Sequence, residues 1–402
     1  SRRRRMIDYA GLAQQIVATG ARRVLLVPPD HTRLHSRGGE IVAGLVGLLD
    51  GELERVDVMP ALGTHRPLGP AEADRLFGGR IPAERLLVHD WRNGVEPLGE
   101  LPAEEVDALL DRPLGLGLPF VLNDRVAGGE YDLVVAAGQV VPHEVAGYGG
   151  YTKHVCIGLG GRDTIQRSHF IGAVHGIEQT LGRVDAPVRQ LLDRGFERFV
   201  APRCRVLFVL TVVELSGEET ILRGVFSGEG HETFAAAAEL SEQVNIDTVD
   251  EPFDRCVVHL DPLEYRSTWL GNKAIYRTRL AMADGGELYV LAPGVERFGE
   301  DPEVDALIRR HGYHGREAAL AAMADDPALA ANLAAVAHLI HGSTEGRFDV
   351  WYCPGAGLSR ADVEGAGFRY LPYEEAAETV ARDPAVPQIA DPGLGLWRAT
   401  RR

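Results

Sequence analysis

The sequence predicts an α/β protein of two domains, each with a mainly parallel sheet flanked by helices, and an active site in the cleft between them. Three observations lead there. A chain of 402 residues is too long for a single hydrophobic core. Short apolar runs alternate with helical patterns, as α/β architecture requires. Clusters rich in His, Arg, Asp and Lys follow the ends of those runs, and the carboxyl edge of an open parallel sheet is where ligands bind.

In chain order the predicted strands are Arg23 to Val27, Val56 to Leu62, Tyr131 to Ala136, Val206 to Val212, Cys256 to Leu260, Glu287 to Leu291 and Phe348 to Tyr352. A helix is predicted over Glu40 to Leu49, where Ile41, Leu45, Leu48 and Leu49 recur at helical spacing. A second follows Lys273, and a long Ala/Leu-rich one runs from Ala328 to Ile340. The acidic, turn-rich stretch from Asp247 to Asp254 marks the domain division. It separates a catalytic and cofactor-binding domain over 1–250 from an α/β domain over 251–402, whose last residues are expected to return to the first.

Composition narrows the function. A net charge of -16 without a basic stripe argues against nucleic acid as partner. No apolar run approaches the roughly 18 to 20 residues of a membrane span. The start, Ser1 to Met6, is basic but lacks an apolar segment behind it, unlike a secretory signal. Cys156, Cys204, Cys256 and Cys353 are scattered without CxxC pairing, which fits a reducing cytoplasm rather than a disulfide frame or zinc ribbon.

Lysine has almost vanished. Of 42 basic residues only Lys153 and Lys273 are lysine, leaving 40 arginines. A lysine that survives this bias is a candidate for work a guanidinium cannot do, as nucleophile or covalent anchor. Other candidates follow the strands: Asp30-His31-Thr32-Arg33 after the first, Gly63-Thr64-His65-Arg66-Pro67 after the second, and Gly138-Gln139-Val140-Val141-Pro142-His143 after the third. Singly each has an ordinary explanation, such as a loop imidazole bonded to its neighbours or a local Asp30–Arg33 ion pair. His31, His35, His154 and His175 look no different by composition. The glycines at 147, 149, 150, 158, 160 and 161 allow close backbone approach but match neither the P-loop nor the dinucleotide fingerprint.

Combined, the motifs are specific. Pro142-His143, Ala146-Gly147-Tyr148-Gly149-Gly150, Lys153 ten residues after that histidine, Gly161-Arg162-Asp163-Thr164-Ile165, and His169 sixteen residues after the lysine resemble the lactate racemase family. The two upstream histidine motifs stand in matching order. The resemblance continues more loosely through Ile275-Tyr276-Arg277, Glu287 to Leu291, Pro293-Gly294 and Phe298-Gly299. It implies an isomerase: a nickel-dependent racemase or epimerase of 2-hydroxy acids that uses a nickel-pincer pyridinium mononucleotide. Lys153 then matches the tethering lysine, within a loop where Gly149 and Gly150 approach the cofactor, and His169 the nickel ligand. His65 and His143 match the acid/base pair, while Asp30 and Arg33 match residues around the substrate. The implied partners are a small 2-hydroxy acid and the cofactor-synthesis enzymes.

One departure stands out. The family's second domain supplies a lysine from a Pro-Lys-Asp type loop, but here the loop reads Thr268-Trp269-Leu270-Gly271-Asn272-Lys273. Lys273, displaced by about two positions, is the only lysine available for that role. Trp269 and Asn272 beside it are expected to reshape the substrate site for an acid larger than lactate, such as a sugar acid. Lactate racemisation proper, a non-catalytic carrier of the nickel cofactor, and a Schiff-base enzyme built on Lys153 remain the alternatives.

Overall fold

Arg23–Val27, a continuous apolar run after its arginine, frames the first compact unit. Its residues 24–27 are buried, as expected of a strand covered on both faces. The computed structural model describes residues 5–216, 219–393 and 395–400; Ser1 to Arg4, most of the basic start, lie outside them. The unit comprises residues up to Ser168 together with Leu181–Asn245. Its sheet runs in the order Arg55–Val58, Arg23–Val27, Leu133–Gln139, Arg205–Ser216, Glu219–Gly228. The first four strands are parallel and the last is antiparallel. Val24, Leu26, Leu133 and Val135 meet Ile16 of helix Tyr9–Ala18 and Leu45 of helix Gly38–Leu49 in one core.

The second unit comprises His169–Thr180 and the chain from Ile246 onward. Its five-stranded sheet, in the order Arg369–Tyr370, Asp349–Pro354, Met282–Ala292, Phe253–His259, Gln388–Ile389, is parallel throughout. Tyr289 and Trp351 are register partners and stack at 5.9 Å. Ile246–Val249 pairs in parallel with Leu396–Ala399, so the transition falls at Ile246. Within this unit Glu178 binds both Arg279, at 3.2 Å, and Arg347, at 2.6 Å, which anchors the segment 169–180.

The α/β class and the parallel sheets agree with the sequence, while several element bounds differ for local reasons. The second strand stops at Val58 rather than Leu62: Met59 and Ala61 still donate to the Leu26 and Pro28 carbonyls, but Pro28, just past the first strand, has no N–H to donate back. The helix expected over Ala328 to Ile340 is two helices, Pro327–Ala330 and Leu333–His341. Asn332 separates them by accepting the Ala335 N–H at 3.1 Å, the capping role asparagine favours. The hairpin of Val95–Leu101 with Leu118–Asn123 was not expected, since Pro97 and Gly99 blur its pattern. The four cysteines are free and buried. Among the described residues no helix is long and apolar enough to cross a membrane.

Candidate active site

Three adjacent parallel strands of the first unit bring their carboxyl ends to one edge, and each is followed by a candidate residue. Past the first strand, Asp30 is buried and caps the turn His31–Ser36. Its Oδ1 accepts from the Thr32 N–H at 3.1 Å and the Thr32 hydroxyl at 2.6 Å. Its Oδ2 accepts from Nδ1 of His65, the residue past the second strand. Burial pushes this carboxyl up, but the bonds from His65 and Thr32 and the charge of Arg33 outweigh it and hold Asp30 at about 2. The carboxylate fixes the proton on Nδ1 of His65, so Nε2 keeps the lone pair. The His65 side chain is 58% exposed.

His143 follows the third strand and is buried in the short hairpin Pro142–His143 with Gly147–Tyr148. The Val145 N–H donates to His143 Nδ1 at 3.1 Å. The neutral ring therefore carries its hydrogen on Nε2, opposite to His65.

The glycine-rich loop is shaped first by its own packing. Gly147 and Gly150 have φ of 72° and 75°. A Cβ would stand 1.8 Å from the Arg183 carbonyl at Gly147 and 2.9 Å from the Gln139 carbonyl at Gly150. At Gly149 nothing comes nearer than 3.4 Å. Tyr151 has φ of 54°, a strained conformation for a bulky residue. Ring contacts with Phe208 at 4.4 Å and Phe234 at 5.2 Å hold it there. Beneath lies Arg189, fully buried. It donates to the carbonyls of Tyr148 at 2.7 Å and Gly150 at 3.3 Å, and to the Thr152 hydroxyl at 2.8 Å. Thr152 in turn donates to Asp193.

Lys153 emerges from this clamp at the start of helix Thr152–Cys156. Part of its side chain stays accessible, yet the amine end is densely surrounded. Burial, then the nearby charge of Arg33, lower it to about 8, with Glu144 and Asp30 only partly opposing. No carboxylate forms an ion pair with it among the described residues. At pH 7 roughly one amine in ten is then unprotonated, about 300-fold more than for an ordinary lysine. With only two lysines in the chain, this is directly measurable. Acylation of the Lys153 peptide should rise with a midpoint near pH 8, and a midpoint above pH 10 would show an ordinary amine.

His154 is accounted for by the fold: its Nε2 donates to the Val27 carbonyl at 3.0 Å, and burial keeps it neutral, at about 4. His169 lies half-buried on helix Arg162–His175, in the segment that belongs to the second unit. Also in that unit, Trp269 stacks on His338 at 4.3 Å. His338 bonds Tyr276 through Nδ1 and Tyr313 through Nε2, each at 3.0 Å. Tyr313 meets the Thr268 hydroxyl at 2.7 Å, which donates to the Phe298 carbonyl. With the Thr268 hydrogen on Phe298 and the His338 ring neutral, Tyr313 donates to Thr268, His338 to Tyr313, and Tyr276 to His338. Asn272 is fully buried, whereas Lys273 is half-buried, its amine 5.7 Å from the Tyr265 ring centroid.

Residues 10–182 match the family model of the lactate racemase N-terminal domain. The match covers less than half of the chain, and it is that family's N-terminal domain which this stretch resembles. The lactate racemase of Thermoanaerobacterium thermosaccharolyticum is 25% identical over 300 residues, covering 71% of this chain and 63% of the relative. The chain thus spans under two thirds of that relative's length. A crystal structure of a Thermotoga maritima protein is similar, with a TM-score of 0.83 and 25% identity over 97% of each chain. The lactate racemase apoprotein of T. thermosaccharolyticum shares the fold at a TM-score of 0.74 and 18% identity, over 96% of this chain and 88% of that one.

Asp30, Arg33, His65, His143, Gly149, Gly150, Lys153 and His169 all fall inside the matched stretch, while Trp269, Asn272 and Lys273 lie beyond it. The first unit joins Asp30 to His65 by a direct bond and gathers Arg33, Asp30 and Glu144 around the Lys153 amine. Arg189, Thr152 and Tyr151, which shape the lysine loop, were not foreseen. The only trace of Arg189 in sequence is a charge three residues before Leu192, on the buried side of helix Pro187–Gly195. A groove of about 400 Å³ lined by Met6, Asp8, Gln15, Arg223 and Phe226 contains none of the candidate residues.

Proposed function

We propose that this chain is a racemase or epimerase that inverts C2 of a 2-hydroxy acid, using a nickel-pincer pyridinium nucleotide tethered to Lys153. The carrying observation is an imidazole backed by an ionised carboxylate, on the same unit as a lysine amine held at about 8 without an ion pair. The residues fit the group. A tether needs an unprotonated amine, which Lys153 supplies. Among the described residues no three His, Cys, Asp or Glu side chains are grouped to hold a metal. A nickel gripped chiefly by its own nucleotide needs only one imidazole, for which His169 is the candidate. When bound, the group supplies a hydride acceptor for C2, which avoids a carbanion beside the carboxylate.

The chain's own residues handle the proton and the substrate. His65 takes the hydroxyl proton at Nε2, and Asp30 orients the ring and stabilises its charged form. His143 donates from Nε2–H to a substrate oxygen. To gain a second proton and serve the opposite course, it must release the Val145 N–H. Arg33 receives the carboxylate. Trp269 and Lys273 keep exposed surface to border a substrate larger than lactate, such as a sugar acid, with Lys273 reaching its oxygens. Fully buried Asn272 supports that loop. The lactate racemase relative favours lactate itself as the alternative substrate. The protein is expected to work in the cytoplasm, where the cofactor-synthesis enzymes would load it.

Protein produced with those enzymes should contain nickel and racemise members of a panel of lactate, malate, phenyllactate and aldonates. Strong preference for lactate assigns lactate, and a fully loaded protein inert on every acid overturns the reading. His169→Ala should keep the fold and lose nickel. Wild-type nickel content in that variant would remove His169 as the ligand.

A further inference from the structure

Gln139 ends the central strand of the first unit, and its carboxamide is used by nothing described so far. The residue is 7% exposed. Among the described residues neither Nε2 nor Oε1 of its amide has a hydrogen-bond partner. Buried amides are otherwise almost always satisfied, and leaving one unpaired is destabilising. A leucine or methionine would suit a purely structural position better.

The register shows what the side chain faces. Leu133, Val135 and Ala137 of the same strand belong to the core under helices Tyr9–Ala18 and Gly38–Leu49, and period-two alternation puts Gln139 on that face. Its register partner in the neighbouring parallel strand is Thr211, whose hydroxyl donates to the Ser36 carbonyl at 2.6 Å. Thr211 and Gln139 therefore look toward the turn His31–Ser36, which carries Arg33 and is capped by Asp30. The Gln139 carbonyl, meanwhile, lies under Gly150 of the lysine loop.

We propose that the Gln139 carboxamide is a substrate-binding group whose two Nε2 hydrogens donate to the carboxylate and to the C2 oxygen of a 2-hydroxy acid, leaving the hydroxyl proton to His65. This rests on the racemase reading above. An amide NH2 presents two donors side by side, the complement of a carboxylate oxygen beside a hydroxyl oxygen. Arg33 supplies the charge, and Gln139 distinguishes a 2-hydroxy acid from a simple carboxylate. Hydrogen-bonding sites of this kind discriminate strongly, because an analogue lacking the hydroxyl leaves a buried polar group unpaired.

Glycolate, the head group alone, is the probe, titrated calorimetrically into cofactor-loaded wild type and Gln139→Met. Methionine keeps the shape and removes both unpaired atoms. The ligand-free variant should melt higher than wild type, while glycolate binding weakens about ten-fold or more. KM for the best panel substrate should rise more than kcat falls. Higher melting with unchanged glycolate affinity and KM would overturn the proposal and leave the racemase reading standing. Failure of loaded wild type to bind glycolate or racemise any acid would overturn both. Gln139→Glu is a second variant in case methionine disturbs the packing. It keeps the shape and places a carboxylate against the anion, so tight glycolate binding by that variant would also refute the assignment.

Discussion

Lys153→Arg is expected to abolish both the covalent adduct and racemisation in protein produced with the cofactor-synthesis enzymes. Arginine keeps the positive charge but not the chemistry, because a guanidinium stays protonated and offers no nucleophilic amine. The lysine does offer one: burial and the field of Arg33 hold it at about 8. Peptide mapping reads the result directly. Wild type should carry added mass on the Lys153 peptide, with Lys273 as an unmodified control in the same chain. The melting temperature and far-UV spectrum of the variant should stay close to wild type, separating lost chemistry from lost fold. Fully active enzyme with an unmodified Lys153 would end the tether assignment.

What could be read in advance follows from how locally each feature is encoded. Arg23–Val27 was legible because a strand buried on both faces is a continuous apolar run. Asp30, His65 and His143 could be placed on one edge because each comes after the carboxyl end of a strand whose neighbours are parallel. The bond between Asp30 and His65 joins two such strand ends and was not itself encoded at either. Arg189 reaches back 37 to 41 residues to hold the lysine loop, and no local pattern announces such a contact. Tyr151 at positive φ defeats propensity outright, since a bulky residue takes that conformation only when surrounding packing imposes it. In the second unit the loop bearing Trp269 was recognisable as a departure. The bonds fixing it run through His338 and Tyr313, far along the chain. Gln139 stood in the run after the third strand but drew no role, because an amide at a strand end is unremarkable until both its atoms are found buried and unpaired.

Changing either His65 or His143 to alanine should lower the rate of interconversion in both directions by roughly 10²-fold or more, the usual loss for removing a general acid or base. A racemase starting from either enantiomer passes through the same pair of imidazoles, so neither direction escapes. Asp30→Asn should cost activity without removing a histidine, because an amide neither holds the His65 tautomer nor stabilises its charged ring. The pH dependence locates the titrating group. Asp30 is held at about 2, below its usual 3.8, so its stabilising contribution is complete above about pH 4 and fades only as pH falls through about 2. An acid limb of the wild-type rate profile above about pH 4 is then not the titration of Asp30. Deuterium at C2 should give a primary isotope effect with little exchange into solvent, as hydride rather than proton transfer requires. Rapid washout of that hydrogen into water, or a His65→Ala variant that no longer racemises yet still exchanges the C2 hydrogen of one enantiomer with solvent, would instead demand a carbanion route with a separate base for each enantiomer.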